Sequence, residues 1–226
     1  MSRHALVTGA SSGIGRAIVE RLLREGWQVT GLSRSAAGAS HPALRMIAVD
    51  LFDGQALAVV LDALPPVDAF VHAAGMMQAA TLGALDSEIS QRLWHLHVQV
   101  AETIANRLAM TLPVDGRIIL IGSRTSRGAA GRSQYVSTKA AMTGMVRSWA
   151  AELAPRGITA NVVAPGATAT PMLSQPGRES SPPKLPPIGR YIQPDEVAAL
   201  VSFLLSPAAA AITGQELVIC GGASLS

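Results

Sequence analysis

The sequence predicts an α/β protein, a doubly wound parallel β-sheet flanked by helices. Two observations carry this. Short, continuous apolar runs alternate with amphipathic stretches along the whole chain, the pattern of parallel strands covered on both faces. The first of those runs also breaks into a glycine-rich turn that opens an amphipathic stretch, the form of a tight strand-to-helix connection. With 226 residues, 49% of them apolar, the chain can core one domain well and two only marginally.

The expected strands are HALVTG, WQVTGLS, LRMIAVD, DAFVHAAG, GRIILIG, ITANVVAPG and ELVICGG, each ending in glycine or a small polar residue. Helical patterns fall between them at about 14–25, 54–63, 86–111, 135–154 and 194–205. Such sheets bind ligands at the carboxyl ends of their strands, where the strand order reverses. One compositional break interrupts the alternation. Residues 173–194, LSQPGRESSPPKLPPIGRYIQP, hold six prolines and two glycines, which excludes a regular helix or a central strand. Because a helix and a strand follow, it is an insertion within one domain spanning 1–226, and it is expected to serve as a substrate lid.

Composition narrows the function classes. The longest apolar run, VAALVSFLLSPAAAAI from Val197, is broken by Pro207 and is short of the ~20 residues a membrane span needs. The N-terminus has no long apolar segment ahead of its glycines, so no secretory signal is expected and the cytoplasm is the expected location. The single cysteine, Cys220, excludes an internal disulfide framework and a cysteine zinc site. The isoelectric point near 9.6 suggests nucleic acid, but the formal charge is only +3 and the arginines are scattered singly. Without a basic stripe and interleaved aromatics, no nucleic-acid partner is expected.

In TGASSGIGRAI, Gly9, Gly13 and Gly15 stand at GxxxGxG spacing with Ser11, Ser12 and Ile14 between them. A strand turning tightly into a helix lets bare backbone approach a pyrophosphate, while the helix N-terminus offers its N–H groups to the anion. A dinucleotide site then needs a reader of the adenosine ribose at the end of the second strand. An acid there binds free hydroxyls, whereas an arginine accepts a 2′-phosphate. The second strand ends in Ser33 and Arg34 with no acid in reach. NADP(H) is therefore expected in preference to NAD(H), with Arg34 on the phosphate and Ser33 assisting. Asp50, at the end of the third strand, is placed to touch the adenine edge.

The densest chemistry is in GRIILIGSRTSRGAAGRSQYVSTKAA. A strand ends at Ser123, and twelve residues later Tyr135 opens a helix with Lys139 four residues on. Positions i and i+4 share a helix face, so phenol and ammonium face one pocket. A free tyrosine titrates near ~10, and a fixed cation nearby stabilises the phenolate and lowers that value. That suits proton exchange with an alcohol or carbonyl oxygen, to which Ser123 can donate a second hydrogen bond.

With these residues in order, the chain resembles the short-chain dehydrogenase/reductase family in its compact single-domain branch. The resemblance runs through TGASSGIG, VDL at 49–51, HAAG at 72–75, ILIGS, YVSTK, NVVAPGATATPM at 161–172 and ITGQELVICGG at 212–222. It implies a Rossmann-type sheet of about seven strands, assembled as a homotetramer or homodimer. It implies Tyr135 as proton donor and acceptor, Ser123 orienting the substrate oxygen, and Lys139 lowering the tyrosine pKa while holding the nicotinamide ribose. It further places Pro165, Gly166 and Thr168 against the nicotinamide amide, Asp50 and Leu51 beside the adenine, and Ala74 and Gly75 in the cofactor cleft.

Two histidines stand in RLWHLHVQV. Residues two apart on a helix point about 200° apart, so His95 and His97 cannot grip one metal, and no metal is expected. The family usually has an asparagine a few residues after a tryptophan here, holding a water that links the lysine to solvent. Trp94 puts His97 in that place. A shifted register offers Gln99, on the opposite face, and Asn106 lies more than two turns further on. His97 is preferred, and is expected to hold the relay water and to impose a pH dependence, since imidazole titrates near ~6.5. His95 is expected to be packed or at a subunit contact. His72, where the family usually has asparagine, is expected to brace the central strands.

The leading function is NADPH-dependent carbonyl reduction or alcohol oxidation on a small molecule. The alternative is an NADP(H)-binding sensor or scaffold without turnover, motivated by His97. A sugar-nucleotide epimerase would need a larger substrate domain. Met76, Met77, Met172 and Leu173 are expected to line an apolar side of the pocket, and Arg178, Lys184 and Arg190 give the lid a positive character.

Overall fold

The computed structural model describes residues 2–35, 40–174 and 181–225. Seven strands form one parallel sheet: β1 (His4–Thr8), β2 (Gln28–Ser33), β3 (Leu44–Ala48), β4 (Ala69–His72), β5 (Arg117–Ile121), β6 (Thr159–Pro165) and β7 (Glu216–Ile219). Their order is β3-β2-β1-β4-β5-β6-β7, and in each pair the strands run parallel. The helices are α1 (Gly13–Arg24), α2 (Gly54–Asp62), α3 (Ser87–Trp94), α4 (Val100–Ala109), α5 (Ser133–Leu153) and α6 (Pro194–Leu205). This is a Rossmann-like doubly wound sheet, as the alternation of apolar and amphipathic stretches predicts.

Alternation along the strands builds two cores, because successive side chains point to opposite faces. On one face Leu6, Phe70, Ile118, Leu120 and Val162 pack against α2, α4 and α5. On the other, Ala5, Val7, Val71, Ile119 and Val163 pack against α1 and α6. The continuous apolar runs seen in the sequence follow from this double cover. β3 and β7 are the sheet's edges and are half-buried rather than buried. Chain reversals use local chemistry: Asp53 caps α2 by accepting from the Gln55 and Ala56 N–H groups, and Pro194 opens α6, where its missing N–H costs nothing.

The helix expected over 86–111 is interrupted. Between α3 and α4 the segment His95–Gln99 is a π turn, in which the Val100 N–H reaches back five residues to the His95 carbonyl. Leu96, His97 and Val98 are all buried, three in succession, which one stripe of a 3.6-residue helix does not bury. The wider turn brings them all inward. π turns of this kind are inserted where side chains must be re-aimed.

The described part of the proline-rich insertion crosses the carboxyl ends of β6 and β7. Ile192 bridges Thr168, its carbonyl accepting from the Ala169 N–H at 2.8 Å and its N–H donating to the Ala167 carbonyl at 3.0 Å, and the Ile188 N–H donates to the Gly221 carbonyl. Among the described residues, no helix is long and apolar enough to cross a membrane.

Candidate active site

The strand order reverses between β1 and β4, and the segments leaving those two strands close on each other. Gly9 has φ +66°, and a Cβ on it would stand 2.7 Å from the Ala74 nitrogen. A Cβ on Gly15 would stand 2.2 Å from the Gly9 carbonyl oxygen, so the turn folds back on the helix it opens. Ser12 is the extended N-cap of α1 and makes no side-chain capping bond. The N–H groups of the first turn are thereby left to an outside acceptor. A bare backbone cradle with uncapped donors at the reversal point fits a dinucleotide pyrophosphate.

A cleft of about 540 Å³ opens over this turn. Its wall brings together most of the residues singled out in the sequence: Gly9, Ser12, Gly13, Ile14, Gly15, Arg34, Ala74, Gly75, His97, Ser123, Tyr135, Lys139, Pro165, Gly166 and Thr168. Met76, Met77, Met172 and Leu173 line it too. Ser11, Ser33, Asp50 and Leu51 are not part of the wall. The Ser33 hydroxyl donates to the Ser35 carbonyl, and the Asp50 carboxylate accepts from the Phe52 N–H. Arg178 lies outside the described residues, and Arg190 is engaged by Glu196 through two bonds of 2.7 Å.

Ser123 follows β5 and caps the short 3₁₀ turn Arg124–Arg127. Its oxygen accepts from the Thr125 N–H and lies 2.9 Å from the Thr125 hydroxyl. Tyr135 sits in the first turn of α5, half-buried. One turn on, Lys139 is buried, with Nζ 5.7 Å from the centre of the tyrosine ring. Nζ donates to the Ile121 carbonyl at 2.9 Å. That single strong acceptor does not replace the lost water, and burial pulls the ammonium down to about 7. The fixed cation expected from spacing is therefore a lysine that titrates near neutrality until an anion joins it.

His97 corrects the expectation. Its Nε2 accepts from the Met76 N–H at 3.1 Å, so that nitrogen carries no proton. Nδ1 then carries it and donates to the Thr138 hydroxyl at 2.8 Å, which donates in turn to the Tyr135 carbonyl at 2.9 Å. Both ring nitrogens are taken by protein, leaving neither to hold a relay water. Burial first, then the Lys139 charge, holds the imidazole well below its usual 6.5, which argues against the expected pH dependence near neutrality. It is a positioning residue joining the Gly75–Met76 wall to the helix of Tyr135. Asn106 lines a separate hollow between α4 and α5, and Gln99 is exposed.

His72 braces the strands as expected. Because the neutral His72 ring must carry its proton on Nε2 to face the Leu96 carbonyl, Nδ1 accepts from the Thr8 hydroxyl at 2.9 Å, and the Thr8 oxygen accepts from the Ala74 N–H at 3.1 Å. His72 Nε2–H donates to the Leu96 carbonyl at 3.0 Å, inside the π turn. Burial first, then the Lys139 charge, lower its pKa to about 3. His95 faces outward, stacked on Phe52 and bonded to Gln99 and the Leu51 carbonyl. Thr8 and Thr138 are the functional residues that sequence reasoning missed. Thr138 carries one signal: it stands three residues after Tyr135 and beside Lys139.

Comparison with known proteins agrees with this geometry. A family model described as enoyl-(acyl carrier protein) reductase matches residues 9–224. The 3-oxoacyl-(acyl-carrier-protein) reductase of Vibrio cholerae is 35% identical over 237 residues, covering 96% of each chain. A short-chain dehydrogenase family protein from Francisella tularensis superposes with a TM-score of 0.92 at 28% identity over 100% of both chains. A blue fluorescent protein from a metagenomic library, solved in complex with NADPH, superposes with a TM-score of 0.85 at 31% identity, covering 98% of this chain and 97% of its own. The chain belongs to the short-chain dehydrogenase/reductase family, whose members are oxidoreductases that bind nicotinamide cofactors.

The two neutral histidines set an acid limit on stability. A buried histidine whose folded pKa lies below ~6.5 refuses a proton that the unfolded chain accepts, so its contribution is intact above ~6.5 and lost as pH falls, at about 1.4 kcal/mol per pH unit. For His72 that loss continues down to about 3. Urea unfolding at pH 6, 5 and 4 is expected to show a slope shallower by about 1.4 kcal/mol per pH unit in His72→Asn than in the wild type. Parallel slopes would mean that His72 is protonated in the folded state.

Proposed function

We propose that the protein is an NADPH-dependent reductase of small carbonyl compounds, able to run in reverse as an alcohol dehydrogenase. The observation that carries this is the placement of Ser123, Tyr135 and Lys139 in one wall of the cleft above the glycine turn. The Vibrio cholerae relative is named as a reductase, and the metagenomic neighbour was solved with NADPH. Both support reduction with this cofactor.

The turn Gly9–Gly15 would hold the pyrophosphate, Arg34 the 2′-phosphate, and Lys139 the nicotinamide ribose. Pro165, Gly166 and Thr168 would flank the amide, and Ala74 and Gly75 would form the opposite wall. Bound there, the nicotinamide supplies or accepts the hydride. The remaining steps belong to the chain's own residues. The Thr125 N–H holds the Ser123 oxygen, and with the Thr125 hydroxyl donating to it as well the Ser123 proton is free for the substrate oxygen. Tyr135 delivers its phenolic proton to the same oxygen as the C–H bond forms. The phenolate left behind raises the Lys139 pKa, so the lysine becomes a firm cation when it is needed. The proline-rich insertion, through its described residues 181–194, would act as the lid over this site.

The sensor reading rested on His97. With that ring neutral and bonded on both sides, it links to the helix of Tyr135 without disturbing it, which supports the reductase reading over the sensor.

Two variants test the assignment. Tyr135→Phe removes the transferable proton and is expected to lower NADPH oxidation by about 10²–10⁴-fold, with NADPH affinity within about three-fold by fluorescence titration. Turnover at wild-type rate would remove the tyrosine from the mechanism. Arg34→Ala is expected to weaken NADPH binding about ten-fold or more while leaving NADH binding nearly unchanged. An equal loss for both cofactors would show that Arg34 does not read the phosphate.

A further inference from the structure

The charge of the cleft is one-sided. Arg34, Arg124, Arg132, Lys139 and Lys184 line it, and no aspartate or glutamate does among the described residues. Arg34 and Lys139 are accounted for by the cofactor. The other three lie on the substrate side: Arg124 directly follows Ser123, Arg132 is the N-cap of α5 ahead of Tyr135, and Lys184 belongs to the proline-rich insertion.

Their arrangement is built rather than incidental. Arg132 donates to the Ser181 hydroxyl and to the Ser181 carbonyl, both at 2.7 Å, and so pins the insertion over the cleft three residues before Lys184. Arg124 is half-buried and makes no ion pair or hydrogen bond among the described residues, and Lys184 makes no ion pair there. Two acids on neighbouring segments, among the described residues, are committed elsewhere. Glu216 accepts from Ser126 at 2.7 Å, and Glu196 holds Arg190. A half-buried cation such as Arg124 attracts an anion more strongly than the same charge in open water, and the exposed Lys184 adds to that field. Arginine's fork matches the paired oxygens of a carboxylate or phosphate. Met76, Met77, Met172 and Leu173 supply an apolar wall beside them.

Resting on the reductase reading, we propose that the substrate is a small carbonyl compound bearing an anionic oxygen group, carboxylate or phosphate, held by Arg124 and Lys184. The carbonyl oxygen lies on Ser123 and Tyr135, the hydrocarbon on the methionines, and the anion at the lid side of the cleft.

The test compares matched pairs with NADPH: 2-, 3- and 4-oxo acids against their ethyl esters, and dihydroxyacetone phosphate against dihydroxyacetone. Each is assayed on wild type, Arg124→Gln and Lys184→Gln. The same compounds are titrated calorimetrically into NADP⁺-saturated Tyr135→Phe protein with and without Arg124→Gln, which reads binding without turnover. At least one anionic member is expected to exceed its neutral partner by about ten-fold in kcat/KM, and Arg124→Gln to erase about that advantage without weakening NADPH. Preference for an oxo acid identifies a carboxylate, and preference for the phosphate a phosphoryl group. If no anionic compound is favoured in turnover or in binding, or if Arg124→Gln lowers both members of a pair alike, the proposal is wrong. Arg124-dependent anion binding with no turnover of any compound would uphold the anion site and overturn the reductase reading.

Discussion

Lys139 carries its ammonium into a wall where, among the described residues, its one oxygen partner is the Ile121 carbonyl, at 2.9 Å. That burial constrains everything around it. The same burial holds the two imidazoles beside it neutral, and positive charge on the lysine adds to that effect. It also stands ready for an anion, whether a phenolate on Tyr135 or an acidic cofactor. The same desolvation that brings the lysine near neutrality in the bare cleft makes its interaction with such an anion stronger than it would be in water.

Neutral histidines are useful because each ring nitrogen then has a definite role. His72 accepts from Thr8 on β1 and donates to Leu96 in the π turn, and His97 accepts from Met76 and donates to Thr138 on α5. Together they tie both central strands, the wall of the cleft and the helix of Tyr135 and Lys139 into one hydrogen-bonded frame. A buried polar network of this kind is favourable only when all its members are satisfied, and these rings are satisfied at both nitrogens. The π turn completes the frame by bringing Leu96, His97 and Val98 inward together.

The architecture was legible in the sequence because each apolar run is a strand buried on both faces, and because Gly9 and Gly15 leave room for nothing but hydrogen where backbone meets backbone. That Ser123, Tyr135 and Lys139 share one wall of the cleft was legible from their spacing taken with the glycine turn upstream. Three things were not. The π turn was hidden because WHLHVQ continues an ordinary helical pattern, and only tertiary contact shows that three successive residues point inward. The state of His97 was hidden because its two partners, Met76 and Thr138, lie 21 and 41 residues away. The lid's cations could not be sorted by sequence: Arg190 is neutralised by Glu196 six residues on, whereas Lys184 faces the cleft.

The most direct test of this frame is nitrogen-15 NMR of the imidazole rings between pH 5 and 8. The account predicts that His97 stays neutral with its proton on Nδ1, and that His72 stays neutral with its proton on Nε2, through the whole range. A shift of either ring to the doubly protonated form near pH 6.5 would contradict it, because a protonated imidazole cannot accept the bond that each of these rings accepts.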